Sequence, residues 1–164
     1  SAELRLRDDD HELGYIAIGV EGPSYKKYED HVALTVAKEI IGSWNRTSSG
    51  ANHNAPYIAH SAFNTDLCET YKSFSHSWVQ STSIWGCYFV CDKLSLHEWM
   101  RLCTTITQRE VSRAINQCKM KELMLLSDPV NHFFDIVKHL FRYEHYKPIQ
   151  QRVTEYEVNY SLNK

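Results

Sequence analysis

The sequence lacks the features that mark several functional classes. Its 164 residues carry a net charge of −2, so composition gives no electrostatic case for binding nucleic acid or an anionic membrane. No apolar run approaches the roughly 18 residues that a membrane-spanning helix needs. The longest apolar stretches, around Leu13–Val20 and Ile84–Val90, have the length of strands. What is left is an ordinary globular chain, long enough to bury a hydrophobic core.

Cysteine usage argues against a disulfide framework. The five cysteines are odd in number and irregularly spaced, and no Cys-x-x-Cys pair occurs: they are Cys68, Cys87, Cys91, Cys103 and Cys118. This pattern fits a reducing compartment and disfavours a zinc ribbon. A catalytic Cys–His pair stays open at this point, because its two members would meet only in the folded chain.

Metal and phosphate motifs are also missing. Nine histidines are present, but His-x-x-Glu-His and its reverse do not occur. His132 and His139 share a helical face two turns apart, and about 10 Å is too far for one ion. Gly42, Gly50 and Gly86 do not form a glycine-rich phosphate loop. The sequence therefore predicts no catalytic residue, no metal ligand and no cofactor.

Four segments show the period-two alternation that predicts strands. Glu3–Arg7 reads as a half-buried edge strand, and Leu13–Glu21 is the clearest strand of the chain. Cys68–Trp78 and Thr82–Cys91 are separated only by Val79–Ser81, so we expect them to pair antiparallel. The second of these directs Trp85, Cys87, Phe89 and Cys91 to one face.

The first half of the chain also contains one clear helix. Tyr25–Ile41 has the helical period, with Gly42 as its C-cap. The polar stretch Asn45–Asn64 is expected to be a long loop with at most one helical turn. A short helix is predicted over Leu94–Cys103.

The C-terminal part is predicted to be helical. Thr107–Glu110 is a capping box that starts a long helix ending near Leu126. This helix is predicted to carry one apolar stripe: Val111, Ala114, Ile115 and Cys118. Pro129 occupies the first position of the next helix, and Pro148 opens a last, weaker one. The helix after Pro129 is expected to bury one apolar face: Phe133, Phe134, Val137, Leu140 and Phe141.

Strands followed by a block of helices predict a single α+β domain over residues 1–164, with a mainly antiparallel sheet covered on one face by helices. Aromatic residues serve in cores or at interfaces. For Trp44, which follows a helix, and Trp78, which ends a strand, both alternatives remain open. The charged, alternating Glu3–Arg7 edge is a candidate for strand addition. The candidate partner contacts are Trp44, Trp78, Leu4 and Leu6.

Four signatures, in this order, carry a resemblance to a known family. They are Glu3-Leu-Arg-Leu-Arg-Asp-Asp9, Ile41-Gly-Ser-Trp-Asn-Arg46, Ser83-Ile-Trp-Gly-Cys-Tyr-Phe-Val-Cys91 and Glu98-Trp-Met-Arg-Leu-Cys-Thr104. Together they resemble the C-terminal half of the family that contains the mitochondrial processing peptidase β-subunit and core protein 1 of ubiquinol–cytochrome c reductase, within the pitrilysin-type metallopeptidases. The resemblance covers most of the chain up to about Leu126.

The resemblance implies a location, partners and an absence of the family's zinc site from this half. The family's zinc motif lies in its other half, so none of its ligands is carried over to this chain. The expected partners are other protein subunits: a sister N-terminal domain and a processing peptidase α-type or core protein 2-type subunit, in the mitochondrial matrix or on the matrix side of the inner membrane. No nucleic acid and no membrane insertion are expected.

The chain also departs from the family pattern. The helix between Cys91 and Glu98 is shortened, Thr47–Ala51 is poor in glycine, and the closing strand of the domain is missing. These losses predict exposed apolar surface that needs a partner. The chain opens at Ser1 without an initiator methionine or a charged-then-apolar leader, so we expect a processed piece or a fragment of a longer protein.

Three functions remain open from the sequence. The first is a non-catalytic, core-protein-like domain of respiratory complex III that acts through protein contacts. The second is the C-terminal domain of a processing peptidase β-subunit, which helps to enclose presequence peptides while the zinc sits in the absent half. The third is a diverged, stand-alone interaction module.

Overall fold

A computed structural model describes residues 3–6, 10–23, 27–47, 55–65, 68–78, 82–92, 95, 98–99, 101 and 106–161. In this part of the chain, four strands form one open antiparallel sheet with the order β1-β4-β3-β2. The strands are β1 (Leu13–Gly22), β2 (Ser43–Asn45), β3 (Cys68–Trp78) and β4 (Thr82–Asp92).

Five helices accompany this sheet among the described residues. They are α1 (Tyr28–Ile41), α2 (Tyr57–Thr65), α3 (Gln108–Met124), α4 (Pro129–Tyr143) and α5 (Ile149–Ser161). A 3₁₀ turn over Leu125–Ser127 joins α3 to α4. The predicted α+β class with a mainly antiparallel sheet is confirmed.

The two central strands build the main core. β3 and β4 pair antiparallel as expected, and Cys87, Phe89 and Cys91 are buried on the predicted face. Trp99 is almost fully buried and stacks on Tyr71 with ring centroids 6.2 Å apart. Apolar residues of α2 complete this cluster. The alternation in the sequence therefore identified the face that the core covers.

Gly86 is required where β4 passes β1. A Cβ atom at this position would lie 2.1 Å from the carbonyl oxygen of Ile18 and 2.7 Å from Cζ of Phe74. Any side chain would push β1 and β4 apart, because backbone atoms cannot give way as a flexible side chain can.

The end of α1 is tied to β3. Gly42 has φ +70°, as its predicted C-cap role requires, and its N–H donates to the carbonyl of Lys38 at 2.8 Å. The Ser73 hydroxyl lies 2.8 and 2.9 Å from the carbonyl oxygens of Lys38 and Gly42 and shares its one proton between them, while the Ser73 N–H donates to the Gly42 carbonyl at 2.9 Å. Ser73 thus adds donors to the carbonyls at the end of α1 and anchors this end to β3.

The predicted N-terminal edge strand is wrong for its described residues. Residues 3–6 have no regular structure, and Leu4 and Leu6 are 84% and 88% exposed. Alternation marks a strand only where a neighbour supplies hydrogen bonds, and no described residue pairs with this segment. Arg7, like the predicted hairpin connection Val79–Ser81, lies outside the described residues.

The predicted long loop Asn45–Asn64 contains a helix that composition concealed, and its first residue belongs to a short strand. Ser43–Asn45 pairs with β3, and α2 runs for nine residues with Ile58, Ala59 and Ala62 buried. Contact with the core outweighs the weak helix propensity of Ser, Asn and His in this segment. In the predicted short helix Leu94–Cys103, the described residues at 98, 99 and 101 are helical, and most of the remainder is not described.

Of the two hydrogen bonds that the predicted capping box of α3 implies, one is present. The Thr107 hydroxyl accepts a hydrogen bond from the Glu110 N–H at 3.4 Å. The Glu110 carboxylate accepts instead from the N–H of Tyr57 at 3.2 Å and from Nε of Arg113 at 3.0 Å, which ties the start of α2 to α3. The predicted apolar stripe of α3 is confirmed: Ala114, Ile115 and Cys118 are buried.

The predicted buried face of α4 is wrong. Four of its five residues are exposed: Phe133, Phe134, Leu140 and Phe141. The reason is that α4 turns a polar face inward, where Asp135 and His139 meet a charged residue of α5. The predicted last helix after Pro148 is confirmed, and its Ile149 is buried.

Arg152 of α5 joins the three C-terminal helices and is only 3% exposed. Its Nη2 donates to Asp135 Oδ2 at 2.6 Å, and its Nη1 lies 3.3 Å from Asp135 Oδ1 and 3.0 Å from Nε2 of His139. Nη1 also lies 2.9 Å from Glu122 Oε2 of α3, an ion pair without hydrogen-bond alignment. We call these four residues the Arg152 clamp.

Burial shifts the pKa values of two residues of the clamp, Glu122 and His139. Burial raises the pKa of the Glu122 carboxyl above its ordinary value, while Arg152 beside it acts in the opposite direction. Burial lowers the pKa of His139, and the charge of Arg152 lowers it further, against the opposite effect of Asp135. The native state therefore holds His139 neutral at a lower pH than an unfolded chain does.

The cap of α3 gives a first prediction. Thr107→Ala removes the acceptor of the Glu110 N–H, so the free energy of unfolding should fall by about 1 kcal/mol. Urea unfolding followed by far-UV circular dichroism measures this change. Unchanged stability would argue against the cap.

The clamp gives a second prediction. Arg152→Met leaves two partly buried carboxylates, Glu122 and Asp135, near each other without their cation, and the free energy of unfolding should fall by about 3 kcal/mol. The matched control is Arg46→Met, which breaks a solvent-exposed pair with Glu69 and should cost about 1 kcal/mol or less. Equal losses in the two variants would contradict a special role for Arg152.

A third prediction concerns pH. The unfolded state takes up a proton at the ordinary histidine pKa of 6.5, whereas the native state resists protonation of His139, so stability should fall as the pH drops through 6.5. We expect His139→Gln to lose less stability than the unsubstituted chain between about pH 7.5 and 5.5. Parallel urea titrations measure both slopes, and identical slopes would contradict the native preference for the neutral ring.

Candidate protein-interaction surface

Helix α4 presents an apolar face to solvent. The Asp128 carboxylate caps the helix by accepting from the N–H groups of Val130 and Asn131 at 3.0 and 3.3 Å, and Pro129 occupies its first position as predicted. From there apolar residues recur at helical spacing on one side. The exposed members, which we call the α4 face, are Val130, Phe133, Phe134, Leu140 and Phe141.

Polar and aromatic contacts on the opposite side fix the orientation of α4. His132 and His139 pack edge-on against the Tyr146 ring at centroid distances of 6.3 and 6.0 Å. Tyr143 meets Tyr28 of α1 at 5.2 Å. With the Arg152 clamp, these contacts hold the polar side of α4 against the protein. Three phenylalanines, among them Phe141 at 87% exposure, consequently point away from it.

A second group of exposed apolar residues lies where α3 ends. Its members are Met120, Leu123, Met124 and Leu126. Single exposed apolar residues are common on protein surfaces, but a cluster of aromatic and long aliphatic side chains marks a site of association. The α4 face is therefore the leading candidate for protein contact.

A groove with a mixed polar and apolar lining also runs along α3, and Met120 lines part of it. A cavity of about 830 Å³ lies between α2 and α3, and one of about 360 Å³ lies between α1, β2, β3 and α3. Both are lined by Arg113 and Gln117, so we treat them as one α3 groove. Arg113 Nη2 donates to the carbonyl of Glu39 at 2.8 Å, which fixes the end of α1 beside it.

The described residues offer little covalent or metal chemistry. They contain no group of three or more His, Cys, Asp and Glu residues arranged to hold a metal ion. Cys68, Cys87, Cys91 and Cys118 are free and buried. Burial raises the pKa of Cys68 and Cys118 to about 12, so neither forms a reactive thiolate at neutral pH. Cys103 lies outside the described residues.

Among the helices that are described, none is long and apolar enough to cross a membrane.

The predicted contact residues do not form one surface. Leu4 and Leu6 are exposed in the irregular N-terminal segment. Trp44 lies in β2, packs partly buried against the main core, and has a buried Nε1 without a hydrogen-bond acceptor in the described structure. Trp78 ends β3 seven residues from the partner of Trp44, about 23 Å along the strand, and its side chain is not described.

The sequence indicated an apolar face on α4, but this face was predicted to be buried and is exposed to solvent. Amphipathic spacing identified four of its five residues, all except Val130, whereas the side facing the protein depends on long-range partners. One usable signal was overlooked. Asp135 and His139 stand at i, i+4 on the polar side, where their side chains are neighbours and can share one partner.

Comparison with known proteins gives these surfaces a family context. The family model described as peptidase M16 inactive domain matches residues 1–118. The mitochondrial-processing peptidase subunit beta of Homo sapiens is 34% identical over 158 residues, covering 92% of this chain and 32% of that protein. The cytochrome b-c1 complex subunit 1, mitochondrial, of Rattus norvegicus is 39% identical over 123 residues, covering 70% of this chain and 25% of that protein.

A solved structure agrees with these relatives. A chain of "Complex III2 from Candida albicans, Inz-5 bound" matches with a TM-score of 0.73 and 27% identity, covering 95% of this chain and 39% of that one. This chain thus spans about a third of the length of the proteins it matches. The resemblance read from the four sequence signatures is confirmed. Since the family model covers well over half of its residues, this chain belongs to the peptidase M16 inactive domain family.

Proposed function

We propose that this domain is a non-catalytic, core-protein-like part of a mitochondrial assembly, the cytochrome b-c1 complex, and that it acts through protein contacts. The observation that carries the proposal is the outward α4 face in a chain of an inactive peptidase family. Each large apolar side chain moved from water into an interface contributes about 1.5–3 kcal/mol. The exposed phenylalanines therefore supply a strong driving force for association.

The proposed partners are other protein subunits. We propose a sister N-terminal domain, for which relatives about three times as long leave room, and a processing peptidase α-type or core protein 2-type subunit as the partner in trans. Mitochondrial relatives support a mitochondrial location, and we place the domain on the matrix side of the inner membrane. Leu4, Leu6, Trp44 and Trp78 remain proposed secondary contacts in addition to the α4 face.

A second candidate function is the C-terminal domain of a processing peptidase β-subunit. It is favoured by the alignment with the human β-subunit, which covers 92% of this chain against 70% for the rat b-c1 subunit. In this alternative, zinc and presequence cleavage belong to an N-terminal half that these residues do not contain. A diverged, stand-alone interaction module is the third candidate.

The fourth prediction tests the docking face. Full-length protein tagged in its native mitochondria should comigrate with the b-c1 complex on blue-native gels after digitonin extraction. Phe134→Glu with Phe141→Glu should reduce comigration at least about tenfold, because two charges would be buried in the interface. The matched control is Phe63→Glu, a residue of α2 that is 56% exposed and lies outside the α4 face.

The outcomes separate the three candidates. Comigration with the b-c1 complex that Phe63→Glu preserves supports the core-protein function. Chelator-sensitive cleavage of a presequence peptide by the purified full-length complex supports the processing peptidase alternative. Stable association with neither assembly would contradict both and leave the stand-alone module.

A further inference from the structure

We propose that the α3 groove binds an acidic peptide segment. It goes beyond the docking function proposed above, since none of the five α4 face residues lines the groove. The support comes from three properties of the groove: its balance of charge, the position of its cations and its size.

The negative groups of the groove are already neutralised. The Glu110 carboxylate pairs with Arg113 at 3.0 Å, and Glu39 pairs with Lys121 at 2.5 Å. The carbonyls of Glu39 and Ile40, at the negative end of the α1 dipole, accept hydrogen bonds from Arg113 Nη2. The acidic residues thus serve the fold and leave little negative potential to repel an anion.

The positive groups are not balanced in the same way. Lys38, Lys72 and Arg109 line the groove and form no ion pair with any described residue. They come from three elements, the last turn of α1, strand β3 and the first turn of α3. Three cations held on different elements create a positive potential that attracts acidic ligands and repels basic ones.

The size of the groove favours a peptide over a small anion. The two cavities hold about 830 and 360 Å³, and Arg109 lines the first while Lys38 and Lys72 line the second. A single phosphate could not reach cations at both ends. The side chains of Asn116 and Gln117 line the space and can bond to peptide groups between successive carboxylates.

The fifth prediction measures this binding on the chain itself. A fluorescein-labelled peptide of about ten residues, alternating Glu and Ala, should bind at least about tenfold more tightly than the matching Lys and Ala peptide in fluorescence anisotropy. Raising NaCl from about 50 to 200 mM should weaken the binding several-fold. Lys72→Glu with Arg109→Glu should weaken it at least about tenfold.

A matched control separates the groove from net charge. Lys27→Glu with Lys138→Glu makes the same change in charge at two exposed positions that do not line the groove, and its affinity should stay within about twofold. Thermal unfolding of both double variants verifies that they fold. Equal binding of the two peptides, no binding of the acidic peptide at about 1 mM, or an equal loss in the control would overturn the proposal. None of these results depends on association with the b-c1 complex, so the two proposals fail separately.

Discussion

The Arg152 clamp decides what the C-terminal helices show to their surroundings. A guanidinium that is only 3% exposed must find its partners within the protein, and it finds them on α3 and α4. Turning Asp135 and His139 toward Arg152 turns the opposite side of α4 outward. Buried ion pairs often add little net stability, but they are costly to break, so they fix orientation. The exposed phenylalanines follow from this electrostatic requirement.

Much of the sheet and of α3 could be predicted from local patterns. β3 was predicted with its observed bounds, β4 ends one residue later than expected, and their buried face is the one that alternation indicated. The cap at Thr107 and the stripe from Ala114 to Cys118 are equally local, because hydrogen bonds three residues apart and side chains on one helical face determine them. The features that were predicted correctly depend on residues that lie close together in the sequence.

The predictions that were wrong concern features that depend on residues far away in the sequence. Amphipathic spacing divides α4 into two sides but cannot say which one meets the protein, since Arg152 lies 17 residues beyond Asp135. The α2 helix forms in polar sequence because Ile58 and Ala62 reach the core around Trp99. Alternation in the N-terminal segment misled for the converse reason: the pattern is local, whereas strand pairing is not. The sequence thus identified most residues of the candidate surface but did not predict that they are exposed together.

The α4 face and the α3 groove rest on different forces and would respond differently to conditions. Apolar contact by phenylalanines persists in salt, whereas attraction of carboxylates to Lys38, Lys72 and Arg109 weakens within a Debye length of about 8 Å at physiological ionic strength. A domain with both surfaces can keep one partner permanently and exchange another. The Lys121–Glu39 ion pair joins α3 to α1, and the Glu110 carboxylate, paired with Arg113 within α3, accepts a hydrogen bond from the Tyr57 N–H of α2. The same contacts remove negative charge from the groove. The contacts that hold the helices together therefore leave the groove positive.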